Sequence, residues 1–261
     1  MNRRAAAEAA ATAQVRVEGL TKIYPGGAKA LDSVSLEVPA GQFLCIIGPS
    51  GSGKSTLLRC LNRLVEPTAG RVWMGGDEVT AISGEALRRA RRRSAMVFQQ
   101  FNLVRRSTVL TNVLTGRLGY QVGLRRFLPG FNQEDQTMAW KSLERLEIAD
   151  KATVRADQLS GGQMQRVALA RALAQQPEIM LADEPVASLD PETAVVVLDY
   201  LRDINRSDGI TVLCAIHHLE LAKRYADRII AMRQGRLVYD GSPGDLDDDA
   251  YRRIYGRLGF D

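Results

Sequence analysis

The residues with the clearest chemical potential form a glycine-rich loop at positions 48–55. They match the pattern G-x-x-x-x-G-K-[ST] in full, directly after a short apolar run and before a helical stretch over residues 54–64. In that setting the backbone N–H groups form an anion site, and the helix N-terminus adds roughly half a positive charge. Lys54 can reach the β- and γ-phosphates of a nucleotide, and Ser55 can ligate Mg²⁺. The predicted nucleotide ligands are Gly48, Pro49, Ser50, Gly51, Ser52, Gly53, Lys54, Ser55 and Thr56.

Two carboxylates form a second candidate centre. Asp183 and Glu184 directly follow the apolar run 179–182, which is typical of a buried strand. Ligands of open α/β sheets bind at the carboxyl ends of the strands. Asp183 is therefore a candidate Mg²⁺ ligand, and Glu184 a candidate general base for an attacking water. A small-molecule P-loop kinase would satisfy both centres equally well.

The pentapeptide Leu-Ser-Gly-Gly-Gln at residues 159–163 separates these alternatives. Ser160 can cap the helix that follows, and Gly161 and Gly162 expose backbone amides at its positive end. This is a second phosphate-binding helix terminus in the chain. One bound nucleotide cannot easily contact both this terminus and the phosphate loop of the same chain. A two-fold dimer could use it, with each copy's pentapeptide closing the phosphate loop of the other. The residues assigned to this contact are Ser160, Gly161, Gly162 and Gln163.

Together these motifs resemble the nucleotide-binding subunit of ATP-binding cassette (ABC) transporters, over residues 14–245. The resemblance implies ATP and Mg²⁺ as cofactors. It implies that Gln99 touches Mg²⁺ and the attacking water and senses a membrane subunit. It assigns residues 188–190 to the dimer interface, His217 to the γ-phosphate and Tyr24 to stacking on adenine. The implied catalytic residues are Glu184, His217, Gln99 and Lys54, and the implied metal ligands are Ser55, Gln99 and Asp183.

Single residues in this set have plainer alternatives. Tyr24 could be an ordinary surface aromatic, but its place before Pro-Gly-Gly and upstream of the phosphate loop favours stacking. His217 and His218 are the chain's two histidines, and both follow the apolar run 211–216. A histidine there favours a polar contact at the sheet edge over a structural role. The register counted back from Glu220 selects His217.

A closer resemblance is to the ATPases of phosphonate importers. It depends on residues 112–120, on residues 182–191 and on the insertion at 124–132. Two departures, His218 and Met164, replace glutamines that are usual in that subfamily. Neither removes an expected ligand, so they bear on the cargo and not on ATP hydrolysis.

These residues lie in a sequence where apolar runs typical of buried strands alternate with helical segments. That alternation predicts an α/β fold with a parallel sheet. The resemblance identifies it as a P-loop NTPase of the ABC ATPase type, with an N-terminal antiparallel β element and a helical subdomain over about residues 80–160. We expect a flexible tail at residues 1–13, the nucleotide-binding domain at 14–250 and a C-terminal tail at 251–261.

Composition excludes several other classes of protein. The three cysteines of the 261 residues are too few and too scattered for a disulfide scaffold or a zinc ribbon. No apolar run approaches the roughly 18 residues of a membrane-spanning helix. The net charge is +5, with arginines clustered at 88–93, 125–126 and 252–257. We expect the 88–93 run to form a solvated helix face; contact with anionic lipid is the alternative.

The combined prediction is the ATP-hydrolysing subunit of an importer for phosphonates or related phosphorus oxyanions. We expect it to pair with a second copy, to bind integral membrane permease subunits at the cytoplasmic face of the inner membrane and to serve a separate solute-binding protein indirectly. Nucleic acid is not an expected partner. The alternatives are an importer of another small polar solute, such as an amino acid, and a soluble ABC ATPase that acts on nucleic acid or ribosomes.

Overall fold

The computed structural model describes residues 13–121 and 130–256. Most of the expected N-terminal tail, most of the 124–132 insertion, the 125–126 arginine pair and Arg257 lie outside the described residues. The strands that the structure describes are β1 (Ala13–Ile23), β2 (Lys29–Pro39), β3 (Phe43–Ile47), β4 (Ala69–Met74), β5 (Asp77–Glu78), β6 (Ser94–Val97), β7 (Ile179–Asp183), β8 (Thr211–Ala215), β9 (Arg228–Arg233) and β10 (Arg236–Gly241).

These strands form two sheets. The first is antiparallel, in the order β2-β1-β4-β5, and is the expected N-terminal β element. The second has the order β10-β9-β3-β8-β7-β6, and all of its strands except β10 are parallel. It lies between two hydrophobic cores, so β3 faces one core with Phe43, Cys45 and Ile47 and the other with Leu44 and Ile46. Burial on both faces explains why this strand is apolar throughout.

Helices cover this sheet and build the helical part of the molecule. They are α1 (Lys54–Leu61), α2 (Gly84–Arg93), α3 (Val109–Leu114), α4 (Gln133–Arg145), α5 (Gly161–Ala174), α6 (Pro191–Asp208), α7 (Leu219–Tyr225) and α8 (Asp248–Tyr255). None of the helices in the described ranges is long and apolar enough to cross a membrane.

The helical region has less simple boundaries than a single insertion over 80–160. Helices α3, α4 and α5 pack against one another, although α5 starts after residue 160. Strand β6 lies within the stretch 80–160 but pairs with β7 as an edge of the core sheet. Helix α8 continues through the first residues expected to form a C-terminal tail, and its Ile254 is fully buried in the main core.

The arginine run on α2 is not the solvated face that its charge predicts. Arg91 donates to the carbonyl oxygens of residues 62 and 63, and Arg92 to that of Gly119. Arg88 donates to the carbonyls of residues 118 and 121. Arg93 pairs with Glu178 at 2.7 Å. These guanidiniums join α2 to neighbouring segments of the chain, and only Arg89 of the run is exposed.

Candidate nucleotide site

The phosphate loop (residues 48–55) owes its path to glycines that pack against backbone. Gly48 has a φ of 142°, and a Cβ built on it would lie 2.2 Å from the carbonyl oxygen of Met232 on β9. Gly53 has a φ of 108°, and its Cβ would lie 2.5 Å from the carbonyl oxygen of Ala30 on β2. Larger residues are therefore excluded at both ends of the loop by sterics as well as by φ. Gly53 is also the N-cap of α1, whose first residue is Lys54.

Lys54 is held at the centre of the loop. Its ammonium donates to the carbonyl oxygens of Gly48 at 2.8 Å and Pro49 at 3.1 Å, and its side chain is 3% exposed. Burial lowers the pKa of Lys54, and the carboxylates of Glu184 and Asp183 oppose that shift. A cation held in place by the loop, beside its backbone N–H groups, is suited to bind phosphate oxygens.

The loop after β7 brings Glu184 to the same place. Its Oε1 lies 3.9 Å from Nζ of Lys54 and 2.5 Å from Nε2 of His217. Glu184 has a φ of 52°, a left-handed conformation that is uncommon for a residue with a long side chain and that recurs at functional sites. His218 is the N-cap residue of α7 and makes no side-chain capping bond there. The structure thus places His217, and not His218, against the candidate base.

Asp183 and Ser55 supply the oxygen ligands that Mg²⁺ prefers. Asp183 is 1% exposed; its Oδ2 accepts from Arg59 at 2.9 Å, and its Oδ1 is buried without a hydrogen-bond partner. The hydroxyl of Ser52 is likewise buried and unpartnered. Within the described ranges no three acidic, histidine or cysteine side chains cluster as a metal cage. The unpartnered Oδ1 of Asp183 fits Mg²⁺, which usually takes one or two protein oxygens and completes its shell with phosphate and water.

A pocket of about 260 Å³ lies between the phosphate loop and Glu184. Its lining comes from β2, the phosphate loop, α1 and the turn after β7: Ala30, Gly51, Ser52, Gly53, Lys54, Ser55, Thr56 and Glu184. Tyr24 stands beside it, with its hydroxyl 3.4 Å from Oγ1 of Thr56 and its ring about one-third exposed. An exposed aromatic face next to a phosphate site can stack on a base.

Gln99 and the 159–163 pentapeptide are not part of that lining. Gln99 lines a separate cleft of about 500 Å³, together with Ser188 from the loop before α6 and Met164 from α5. The cleft lies where the core sheet meets the helices of the helical region. Within one chain, then, the expected catalytic glutamine is not brought into the phosphate-loop pocket.

The pentapeptide forms the start of α5 and is rigidly capped. Ser160 accepts from the backbone N–H of Gln163, whose side chain accepts from the N–H of Ser160, a complete capping box. A Cβ on Gly162 would lie 2.5 Å from Cγ2 of Thr193 on α6, so a larger residue there would displace α5 from α6. This helix N-terminus is a second phosphate-binding geometry in the chain, away from the phosphate-loop pocket.

Arg59 is the functional residue that the motif analysis missed. Its guanidinium reaches from the last turn of α1 to Asp183, 124 positions along the chain. The contact leaves the other carboxylate oxygen of Asp183 as the free one. The sequence carried no distinctive signal for it, because Arg59 lies on the polar face of α1 with Ser55 and Thr56 and is exposed, as an ordinary surface arginine would be.

Comparison with known proteins agrees with this geometry. The family model described as "ABC transporter" matches residues 31–187. The Phosphonates import ATP-binding protein PhnC of Bdellovibrio bacteriovorus is 51% identical over 243 residues, covering 93% of each chain. The protein of that name from Bradyrhizobium diazoefficiens is 54% identical over 239 residues, covering 92% of this chain and 88% of the relative.

Solved structures give the same result. The cassette MJ0796, a dimer in a post-hydrolysis state bound to ADP and Pi, is 35% identical with a TM-score of 0.77, covering 88% of this chain and 98% of that one. The ADP conformation of MJ1267, a cassette of an ABC transporter, is 29% identical with a TM-score of 0.80, covering 92% of this chain and 98% of that one.

Proposed function

Because the chain belongs to the ABC transporter family, we propose that it is the ATP-hydrolysing subunit of an importer for phosphonates or related phosphorus oxyanions. The observation that supports hydrolysis is the convergence of Lys54, Glu184 and His217 beside one phosphate-sized pocket. The cargo is supported by relatives named as phosphonate import proteins at about half identity over most of the chain.

The phosphate loop binds the nucleotide in this account. The backbone N–H groups of the loop and of the N-terminus of α1 donate hydrogen bonds to the phosphate oxygens, and Lys54 neutralises charge on the β- and γ-phosphates. Tyr24 stacks on the base from the open side of the pocket. Ser55 and Asp183 are the residues that would hold Mg²⁺, which when bound neutralises phosphate charge and orients the γ-phosphate. Gln99 lines the separate cleft, so it is not assigned to the metal within one chain. Arg59 fixes the Asp183 carboxylate so that its free oxygen faces the site.

Glu184 serves as the general base. Its carboxylate accepts a proton from the attacking water, while the contact with His217 fixes the side chain in one orientation. Nζ of Lys54 lies 3.9 Å from the same carboxylate oxygen, so its charge attracts the Glu184 carboxylate to the phosphate loop. This arrangement places a base and a cation within a few ångströms of one reacting group.

Two copies complete the site. The capped pentapeptide at the start of α5 has the geometry of a phosphate clamp but lies outside its own chain's pocket. In a two-fold pair, the pentapeptide of each copy covers the nucleotide on the other. Binding of ATP then closes the pair and hydrolysis reopens it. The cleft that contains Gln99 lies between the core and the helical region, so it can pass that motion to membrane-embedded permease subunits at the cytoplasmic face.

The cargo is tested by growth. A strain that lacks this gene, and any second importer, should fail to grow on a phosphonate as the sole phosphorus source and should grow normally on inorganic phosphate. Wild-type protein should restore growth and Lys54→Ala should not, because the variant loses the charge against the β- and γ-phosphates. Normal growth of the deletion strain on phosphonate would assign the cargo to another small polar solute, such as an amino acid.

A further inference from the structure

A second concave surface lies behind the phosphate loop, and we name it the arginine pocket. It has a volume of about 810 Å³ and occupies the space between the β9–β10 turn, the start of β2 and the end of α8. Its lining residues are Asp32, Arg233, Gln234, Arg236, Val238 and Arg253. None of them belongs to the nucleotide site described above.

The charges in the arginine pocket do not balance. Arg236 contacts Asp32 at 2.6 Å, and this hydrogen bond is the main cause that lowers the pKa of Asp32. Arg233 donates to the backbone carbonyl of Arg253, at 2.9 Å. Among the residues in the described ranges, no carboxylate pairs with Arg233 or with the exposed Arg253 side chain. Three guanidiniums thus face one carboxylate in a concave site, which concentrates positive potential there.

The same turn is hydrogen-bonded to the phosphate loop. The N–H of Gly235, between two of these arginines, donates to the carbonyl oxygen of Ser52 at 2.9 Å. The carbonyl of Gly235 accepts from the N–H of Asp32 at 2.9 Å. A Cβ on Gly235 would lie 2.9 Å from the carbonyl oxygen of Ala30, which itself lines the nucleotide pocket. The Gly235 peptide therefore connects the turn that lines the arginine pocket to the phosphate loop and to the start of β2.

The chemistry of the lining selects the ligand. Guanidinium groups match the tetrahedral oxygens of phosphoryl and phosphonyl groups through paired hydrogen bonds. A pocket of this volume is in the range that accommodates organic ligands rather than a bare ion. We propose that the arginine pocket binds a small organic molecule that carries a dianionic phosphate or phosphonate group, and that its occupancy weakens nucleotide binding at the phosphate loop.

The direction of the coupling follows from charge. The unpaired arginines contribute positive potential at the adjacent loop, where nucleotide phosphates bind. A dianion in the arginine pocket neutralises that potential. Binding at one site must then weaken binding at the other by the same factor. This inference needs only nucleotide binding by the loop and is independent of the transported cargo.

Calorimetric titration of the purified full-length chain tests the site, with 2-aminoethylphosphonate and glucose 6-phosphate as separate probes. We expect at least one probe to bind, and the one that binds identifies the ligand as a phosphonate or a phosphate ester. Arg253→Gln should weaken binding about tenfold or more, since a charge-assisted hydrogen bond is lost. Arg253→Lys should restore part of it. Arg89→Gln, an exposed arginine on α2, is the control for net charge and should bind as wild type does.

Lys54→Ala distinguishes the two pockets, because a probe in the phosphate loop would lose its cation. Retained binding in Lys54→Ala together with weakened binding in Arg253→Gln supports the proposal. The opposite pattern, or binding of neither probe, overturns it.

With the binding probe at saturation, the ATP dissociation constant should rise about fivefold in wild type and stay unchanged in Arg253→Gln. An unchanged constant in wild type would refute the coupling. Since the Arg253 side chain is exposed, loss of folding is not an expected outcome for its variants.

Discussion

Arg117 provides a sharp test of how the helical region is held together. Its guanidinium is 2% exposed and donates to Asp135 at 2.8 Å, to the side chain of Gln176 at 2.8 Å and to the carbonyl of Ala174 at 3.2 Å. The Asp135 side chain is itself only 6% exposed. The pair thus links the 3-10 turn at Thr115–Tyr120 to α4 and to the end of α5.

The perturbation is Arg117→Met, which keeps an unbranched chain and removes the charge. Breaking a buried ion pair by removing one partner leaves the other charge uncompensated, at a cost of about 3–5 kcal/mol. We expect the free energy of unfolding in urea to fall by that amount. Adding Asp135→Asn to the variant should recover part of the loss, because the stranded carboxylate is then gone.

Arg145→Met is the matched control. Arg145 pairs with Asp203 at 2.7 Å, but the two side chains are 37% and 54% exposed. Solvent-exposed pairs contribute at most about 1 kcal/mol. A loss below about 1 kcal/mol for Arg117→Met, or equal losses for both variants, would refute the argument that burial makes the Arg117 pair important.

Three further predictions concern the site and its surroundings. His217→Ala should slow steady-state ATP hydrolysis on the order of 10²-fold and His218→Ala far less, since only His217 contacts the candidate base; similar losses would contradict the assignment. Arg59→Gln should raise the Mg²⁺ concentration needed for tight ATP binding, measured by calorimetry, without changing ATP binding in the absence of Mg²⁺. If the Mg²⁺ concentration needed is unchanged, Arg59 does not position Asp183. Glu178→Gln should lower the free energy of unfolding at pH 7 by less than about 1 kcal/mol, because an arginine hydrogen bond holds the pKa of this partly exposed carboxylate below its ordinary value of 4.5. That stabilisation is present above pH 4.5 and is lost as pH falls through the lowered folded-state pKa, so the difference between variant and wild type should shrink as the pH is lowered below 4.5; a difference that stays constant would contradict it.

The core of the fold could be read from the sequence because parallel strands buried on both faces are apolar throughout. The apolar runs 179–182 and 211–216 match β7 and β8 to within a residue. The first sheet was harder to predict. Strand β1 extends to Ile23 through register shifts next to Gly19, whose φ is 57°, and polar residues follow that irregularity.

Long-range polar contacts could not be predicted from pattern. The arginines of α2 read as a solvated face because a sequence does not show which backbone carbonyls will lie nearby. Arg59 was missed for the same reason, since its partner Asp183 is 124 residues away. The second half of α8 was read as a tail because its buried Ile254 is surrounded in sequence by arginines and tyrosines.

The residues at 112–120, on which the resemblance to phosphonate importers depends, include packing residues. Gly116 leaves room for the carbonyl of Arg171, which would lie 2.2 Å from a Cβ there, and the hydroxyl of Tyr120 donates to the carbonyl of Gln175. The motif therefore secures the helical region to α5 and does not contact the nucleotide pocket.

The most direct test of the account is ATP hydrolysis by the purified chain beside Glu184→Gln. We predict that the variant binds ATP as tightly as wild type, hydrolyses it on the order of 10²–10⁴-fold more slowly, and elutes from gel filtration as a dimer when ATP is present. Slow hydrolysis would follow from the lost base, and the trapped dimer from two copies closed over unhydrolysed nucleotide. A variant that remains monomeric with ATP and hydrolyses it at the wild-type rate would contradict both the role of Glu184 and the paired site.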